Sequence, residues 1–534
     1  MRIVKHFDRS ALLLTLLLGL AGLVYIWVPT DPDFWWHIRS GQLVVESGVP
    51  RSDPMSFTLP GAQWVLHEWL TEVGMYLLQH TLGYFALVVV AALITVSTYA
   101  LLYRVLRSLG AGPPLAVGLL LVRLIMDAPT WGVRPQILVT LFFTIFLAVV
   151  LRYRRSAQPT APQALRDLRG VAAWIGPEPG IWLLPPLMLL WANMHSGFLV
   201  GIGLLGLWVI GEWLNRLLGW GTPVALRPLV AVTLLCGLVW LVNPNGIDLL
   251  LLPLTYLGGP QAGNLLPFIQ EWQPPDPRKL AAIPFVFTLL SLLAVMVWPR
   301  AAPRPPSPTD AVPAPGAPGA ARIHLPFNGD AALLLEMGVF LTAALQATRL
   351  VPLWGTWWAV GMAVALPRLW PQLGQDRNRP PPPLRARLNL GLAVTVLTGL
   401  AIFLLVTPRA QLGPQAHDSG YPAEAVAYLA AHPSLNADPL YNDYVWGGYL
   451  IAQRWPAHQV FIDGRADMYR GVVINDYVAT LSGGPAWRRI FAKYGVRGAL
   501  LPRNTPLAEV LAQEPTWQQV CCTGGPALLF VAHP

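Results

Sequence analysis

Sulfur, charge and lysine are all scarce in this chain. Its 534 residues include three cysteines, 12% charged residues, and lysine only at positions 5, 279 and 493. There is no CxxC pair and no histidine-rich run, which excludes a thiolate zinc site or a redox dithiol of the usual spacing. Cys236 lies in an apolar stretch. Cys521 and Cys522 are adjacent, and a bridge between neighbours is strained, so they are expected as free thiols. The charged fraction is far below the ~25% of soluble domains. No period of roughly 20–50 residues repeats, which argues against a solenoid. Arginine supplies nearly all the basic residues, as a GC-rich genome would dictate.

What the chain has instead is apolar length. Hydrophobic residues make up 54% and mean hydropathy is +0.49. Runs near the ~17–25 residues that span a bilayer fall at 10–30, 83–103, 112–127, 135–151, 179–194, 197–215, 225–242, 281–298, 331–348, 352–369 and 388–407. The expectation is a polytopic α-helical membrane protein with about 11 transmembrane helices. The first run ends at Asp31-Pro32, not at a small-residue cleavage site, so it reads as a retained span. With the N-terminus inside, the inner segments hold twenty basic residues and the outer loops before the last span hold six. The positive-inside rule then places the chain in the cytoplasmic membrane with its C-terminal part outside. The net charge of +9 is read as this topological signal, not as a nucleic-acid footprint.

Two regions follow: a transmembrane domain over 1–407, and an extracytoplasmic α/β domain over 408–534. The Pro/Ala run 299–322, which 371–386 resembles, reads as an extended inner linker. In the first outer loop, 31–82, helical periodicity over 33–47 and 65–80 predicts two helices lying on the membrane. In the last domain AEAVAYLAAH, GGYLIAQRW, AWRRIFAKYG and LAEVLAQE read as helices. PLYNDY, HQVFIDGR, RGALLP, WQQVCC and ALLFVAH read as extended.

The chemistry concentrates where the first span ends, in Thr30-Asp31-Pro32-Asp33-Phe34-Trp35-Trp36-His37. Carboxylates at a membrane edge are costly and mark function. Asp33 is the candidate general base, supported by Asp31, and the i, i+2 pair also suits a divalent cation such as Mg²⁺ or Mn²⁺. The bland alternative for Asp31 is a helix cap with Pro32 in the first turn. Trp35 and Trp36 read first as interface anchors. Asp31, Asp33, His37 and Glu68 are expected to line one outer cavity roofed by the C-terminal domain. Arg349 and Arg134, at span ends, are candidates for a phosphate, with snorkelling as the alternative. His195, in WANMHSG, is a further candidate substrate contact. Asp463, Arg465 and Asp467 read as a salt-bridged strand end.

The wording DPDFWWHIRSGQLVVESGVPRSDPMSFTLPGAQWVLHEWLTE, a D-x-D at the exit of the first span, resembles the GT-C superfamily of lipid-linked-sugar glycosyltransferases. It is similar to a bacterial branch near the mannosyltransferases and aminoarabinose transferases. WANMHSGFLVG (191–201), NPNGIDLLLLP (243–253), IQEW (269–272), YNDYVWGGYL (441–450) and VFIDGRADMY (460–469) extend the resemblance over most of the chain. The resemblance implies a sugar donor on polyprenyl phosphate, an extracytoplasmic acceptor, an inverting displacement and a base from the first outer loop, which Asp33 matches. Tyr444 and Trp446 stand where the oligosaccharyltransferase subunit carries an acceptor-binding signature. The wording differs, so they are expected only as substrate contacts. Membrane lipids are the other expected partner; nucleic acid is not. Two other classes stay open: a transporter or flippase of lipid-linked glycans, and a noncatalytic assembly protein of the same fold.

Overall fold

The computed structural model describes residues 7–27, 31–156, 178–220, 224–256, 270–298, 329–375, 382–406, 420–435, 437–522 and 524–533. The linker at 299–322, part of the second proline-rich run and the expected start of the last domain at 408–419 lie outside the described residues.

A helix stands at each expected span. After α1 (Arg9–Trp27) come two loop helices, α2 (Phe34–Ser47) and α3 (Trp69–Leu82). The bundle continues with α4 (Tyr84–Ser108), α5 (Pro113–Met126), α6 (Ile137–Ser156), α7 (Leu184–Met194), α8 (Phe198–Leu218) and α9 (Leu226–Gly237). A short α10 (Asp248–Tyr256) precedes α11 (Ile283–Val297), α12 (Ala331–Gln346), α13 (Val351–Leu369) and α14 (Pro383–Val406). Among the described residues, six helical stretches are long and apolar enough to cross a membrane. They correspond to α4, α6, α8, α11, α13 and α14; α1, α5, α9 and α12 are apolar over shorter lengths. Several starts are written in the sequence. Pro113, Pro284 and Pro352 sit in first turns, where a missing N–H costs nothing. Asp330 caps α12 by accepting the Leu333 N–H at 3.2 Å.

Helix α13 is the axis of the bundle, with Trp354, Trp357 and Trp358 buried. The indole N–H groups of Trp354 and Trp358 donate to Thr288 and Ser291 of α11 at 2.8 and 2.9 Å. At the periphery the pattern reverses. Helix α14 exposes Leu384, Leu388, Leu392, Val394 and Ile402, and α11 exposes Phe287, Leu290, Leu293 and Val297. Contiguous apolar faces of this kind need hydrocarbon to cover them. The chain is a multi-pass membrane protein.

The connections converge at two opposite ends. At one end Gly112 donates to the Leu373 carbonyl at 2.7 Å, and Arg154 pairs with Glu212 at 2.7 Å and with Asp330. The other end gathers residues 31–82, the turns near 127–136, 195, 271 and 349, and the C-terminal domain.

That domain holds α15 (Ala423–Ala431), β1 (Leu440–Asn442), α16 (Gly447–Arg454), α17 (Ala466–Leu481), α18 (Ala486–Tyr494), β2 (Gly498–Pro502), α19 (Pro506–Gln513), β3 (Trp517–Cys521) and β4 (Ala527–Ala532). The sheet order is β1-β2-β4-β3. β1 runs parallel to β2, with Tyr441 opposite Ala499; β4 is antiparallel to both β2 and β3. Four expectations are corrected here. HQVFIDGR is extended but joins no sheet; Val460 pairs instead with the first loop, donating to Met55 and accepting from Phe57 at 3.0 and 3.1 Å. Helix α17 stands where no element was expected, its charged positions having masked the buried Tyr469, Val473 and Tyr477. Cys521 and Cys522 are disulfide-bonded. A continuing strand would send the two sulfurs to opposite faces, but β3 ends there and Cys522 turns to φ 78°. Finally, Trp35 and Trp36 are core residues, not interface anchors. Both are buried in an apolar cluster that the first loop shares with Tyr421, Tyr449, Leu450 and Ile462.

Candidate functional site

A cavity of about 860 Å³ lies where the first loop, the helix ends and the C-terminal domain meet. Its wall includes Asp31, Asp33, His37, Glu68, Arg134, His195, Arg349 and Tyr444. Seven of these eight candidates come from the membrane region and its outer loops, and Tyr444 comes from the last domain.

The Asp31–Asp33 spacing is set by a tight turn into α2. Asp31 Oδ1 accepts the Asp33 N–H at 2.9 Å, and the Asp31 carbonyl accepts from Phe34 at 3.0 Å. Asp31 therefore closes the turn before α2, whose N-cap position is Asp33, and its other oxygen also accepts from Arg134 at 2.9 Å. Arg134 in turn reaches Glu271 at 2.6 Å, so two carboxylates balance this guanidinium. Asp33 accepts the Trp36 indole N–H on Oδ1 at 2.9 Å. Burial, helped by the neighbouring Asp31 charge, pushes the Asp33 carboxyl up to about 7 against the pull of His37, Trp36 and Arg134. Such a carboxyl changes protonation near neutral pH, as a general base must.

A second cluster stands one helical turn further on. Gly41 of α2 packs directly on the backbone of Glu72 in α3, where any Cβ would overlap the Glu72 carbonyl. His37 lies on the same face four residues earlier, and this close crossing delivers it to Glu68 and Glu72. His37 Nδ1 is 2.9 Å from Glu72 Oε1 and 3.4 Å from Glu68 Oε2. The other Glu68 oxygen faces His195 Nε2 at 3.0 Å and His67 Nε2 at 3.6 Å. His195 Nδ1 accepts the Gly197 N–H at 2.7 Å, which puts the ring proton on Nε2, toward Glu68. Burial alone would raise Glu68, but His195, His67 and His37 hold it well below the usual carboxylate range. Burial pushes Glu72 up to about 7. Burial disfavours a charged His67, yet Glu68 overrides it and raises the imidazole to about 9.

Arg349 sits on the far wall, its guanidinium 4.6 Å from the Trp272 ring centroid. Among the described residues it has no carboxylate partner, unlike Arg134. Tyr444 donates to the Gly464 carbonyl at 3.2 Å at the cavity's edge. Trp446 is not in the wall. It is buried, and its indole N–H donates to the Gly420 carbonyl at 2.8 Å.

The last domain is locked to the first loop by charge. Arg465 donates to Asp463 at 2.6 and 2.8 Å and to Asp53 of the first loop at 2.6 Å, all buried. Asp463 and Arg465 thus pair as the sequence suggested, but Asp467 leaves that group and lines the cavity. His67, Trp272 and Tyr99 were not legible as site residues. His67 adjoins Glu68 in LHEW and carried a signal there. Tyr99 lies mid-span on α4, where nothing distinguishes it, yet its hydroxyl donates to Asp127 at 2.6 Å.

No protein-family model and no curated protein matches the chain. Among solved structures, ArnT from Cupriavidus metallidurans bound to undecaprenyl phosphate is similar. The TM-score is 0.44 and the identity 16%, covering 96% of this chain and 97% of that one.

Proposed function

We propose that this chain is an integral membrane glycosyltransferase that moves a sugar from a polyprenyl-phosphate donor to an acceptor outside the cytoplasmic membrane. One juxtaposition carries the reading. A carboxyl held near 7, Asp33, shares a cavity with a guanidinium that has no carboxylate partner among the described residues, Arg349. The D-x-D wording of the first loop and its resemblance to the GT-C enzymes name the donor class.

In this reading the acceptor hydroxyl gives its proton to Asp33 as its oxygen attacks the anomeric carbon from the face opposite the phosphate. The bond from that carbon to the phosphate oxygen breaks, the configuration inverts, and Arg349 holds the departing polyprenyl phosphate. Arg134, balanced by Asp31 and Glu271, orients the Asp31 turn and through it Asp33. Tyr444 flanks the acceptor side. A Mg²⁺ or Mn²⁺ ion would fit at Asp31 and Asp33 only by taking Asp31 from Arg134. Activity lost on chelation and restored by those ions, but not by Zn²⁺, would support such an ion.

The test is turnover of undecaprenyl-phosphate sugars by the purified chain, read as release of undecaprenyl phosphate. Release in the wild type that disappears in Asp33→Asn supports the enzyme. Movement of the intact lipid-linked sugar across a vesicle bilayer, with no bond broken, would replace it with a transporter. Neither would leave an assembly protein.

A further inference from the structure

The geometry points to a metal site separate from the Asp31–Asp33 pair: a first-row divalent cation of the Zn²⁺ type, held by His37, Glu68 and Glu72. One ligand atom from each of the three lies within 4.8 Å of the others. All three side chains are buried. His37 is on α2, Glu72 on α3 and Glu68 at the N-cap of α3, and Gly41 lets the two helices cross at close range, so the donors are fixed by backbone packing, not by flexible surface stems.

Three observations fit this group to a cation. The first is spacing. Ligand atoms about 2.0 Å from a tetrahedral zinc stand roughly 3.3 Å apart, and His37 Nδ1 is 2.9 and 3.4 Å from the two carboxylates. The second is an orphan. Glu72 Oε2 is buried with no hydrogen-bond partner, a costly state that a cation would relieve. The third is the outer support. His195 Nε2 stands 3.0 Å from the far oxygen of Glu68, and His67 Nε2 stands 3.6 Å from it. Ligating carboxylates are commonly oriented by such partners. His195 is itself no ligand, because its Nδ1 already accepts from Gly197 and its Nε2 carries the proton. His37 and Glu68 also face the cavity, which leaves an entry path and room for a fourth ligand. One imidazole with two carboxylates suits Zn²⁺ or its first-row neighbours better than Mg²⁺, which prefers oxygen alone. The role is to rivet α2 to α3, one turn beyond Asp33. The site does not depend on sugar transfer.

The experiment is metal content of the full-length protein, purified in detergent without a histidine tag and dialysed against Zn²⁺. About one zinc per chain is expected. Glu72→Gln and His37→Gln should each bind zinc roughly 10–100-fold more weakly. A second readout does not rely on the variants folding. Co²⁺ added to chelator-treated wild type should give visible absorption bands of a histidine-bound tetrahedral ion, and Zn²⁺ but not Mg²⁺ should raise its melting temperature. Absence of bound zinc in the wild type, with no cobalt bands, would overturn the site and leave His37 as an imidazolium between two carboxylates. Full zinc content retained in both variants would place the metal elsewhere and overturn it equally. Neither result touches the transferase reading, which is tested by Asp33→Asn.

Discussion

Gly464, from the last domain, rests so closely on Asp33 that a Cβ built at 464 would overlap Asp33 Oδ1 and stand 3.1 Å from the Trp36 indole nitrogen. The carboxyl of the proposed base is therefore in direct contact with the backbone of the domain that roofs it. Gly464→Ala must move Asp33, break its bond from Trp36, or lift the domain. Misplacement of a reacting group by about 1 Å costs on the order of 100-fold. Transfer in Gly464→Ala is expected to fall by that order while the melting temperature changes little. Wild-type rates in this variant would separate Asp33 from the chemistry.

Asp33→Asn should reduce transfer roughly 100- to 10,000-fold, the usual span for a general base. Wild-type activity should rise with pH through about 7 and then level off, because the carboxylate is the working form. Stability should move the other way. A carboxyl raised by burial favours the folded state while protonated, and that contribution is lost as pH climbs through its folded value. At pH 8, Asp33→Asn should therefore melt no lower than wild type. A markedly lower melting temperature there would make Asp33 a structural carboxylate.

Much of this site was legible because the chemistry lay at span ends. The alternation of basic loops groups Asp33, Arg134, His195 and Arg349 on one side, and the helices do bring them to one end. What the sequence could not disclose was pairing across long separations. Arg134 lies 137 residues from Glu271 and Arg465 lies 412 residues from Asp53; neither partner is marked by local pattern. Trp35 and Trp36 misled for a related reason. An aromatic pair after an apolar helix has the composition of an interface belt, and only the C-terminal domain packing on them makes them core. The segment HQVFIDGR reads as a strand by β-propensity, but its extended backbone is used to grip the first loop.

Arg349 is expected to contribute to donor binding as a forked, charge-assisted donor. Losing hydrogen bonds to a charged group costs about 1.5–3 kcal/mol, so Arg349→Ala should weaken binding of undecaprenyl phosphate roughly 10- to 100-fold. Arg349→Lys keeps the charge but neither the fork nor the stack on Trp272, and should fall between the two. Equal affinity in all three proteins would return Arg349 to a snorkelling role.

The joint between the last domain and the first loop should depend on Arg465. Arg465 is 2% exposed, and its guanidinium bridges Asp463 to Asp53, stacked 4.6 Å over Trp64. Arg465→Met keeps much of the volume but leaves two carboxylates buried without their cation. Breaking a buried pair from one side costs about 3–5 kcal/mol. Asp53→Asn should cost less, because Asp463 still balances the arginine and an amide can still accept its hydrogen bond. The order of melting temperatures should be wild type, then Asp53→Asn, then Arg465→Met. Limited proteolysis should release a fragment carrying the last domain from Arg465→Met first. A melting temperature for Arg465→Met equal to wild type would mean that the shared apolar core around Trp35, Tyr449 and Ile462 holds the joint alone.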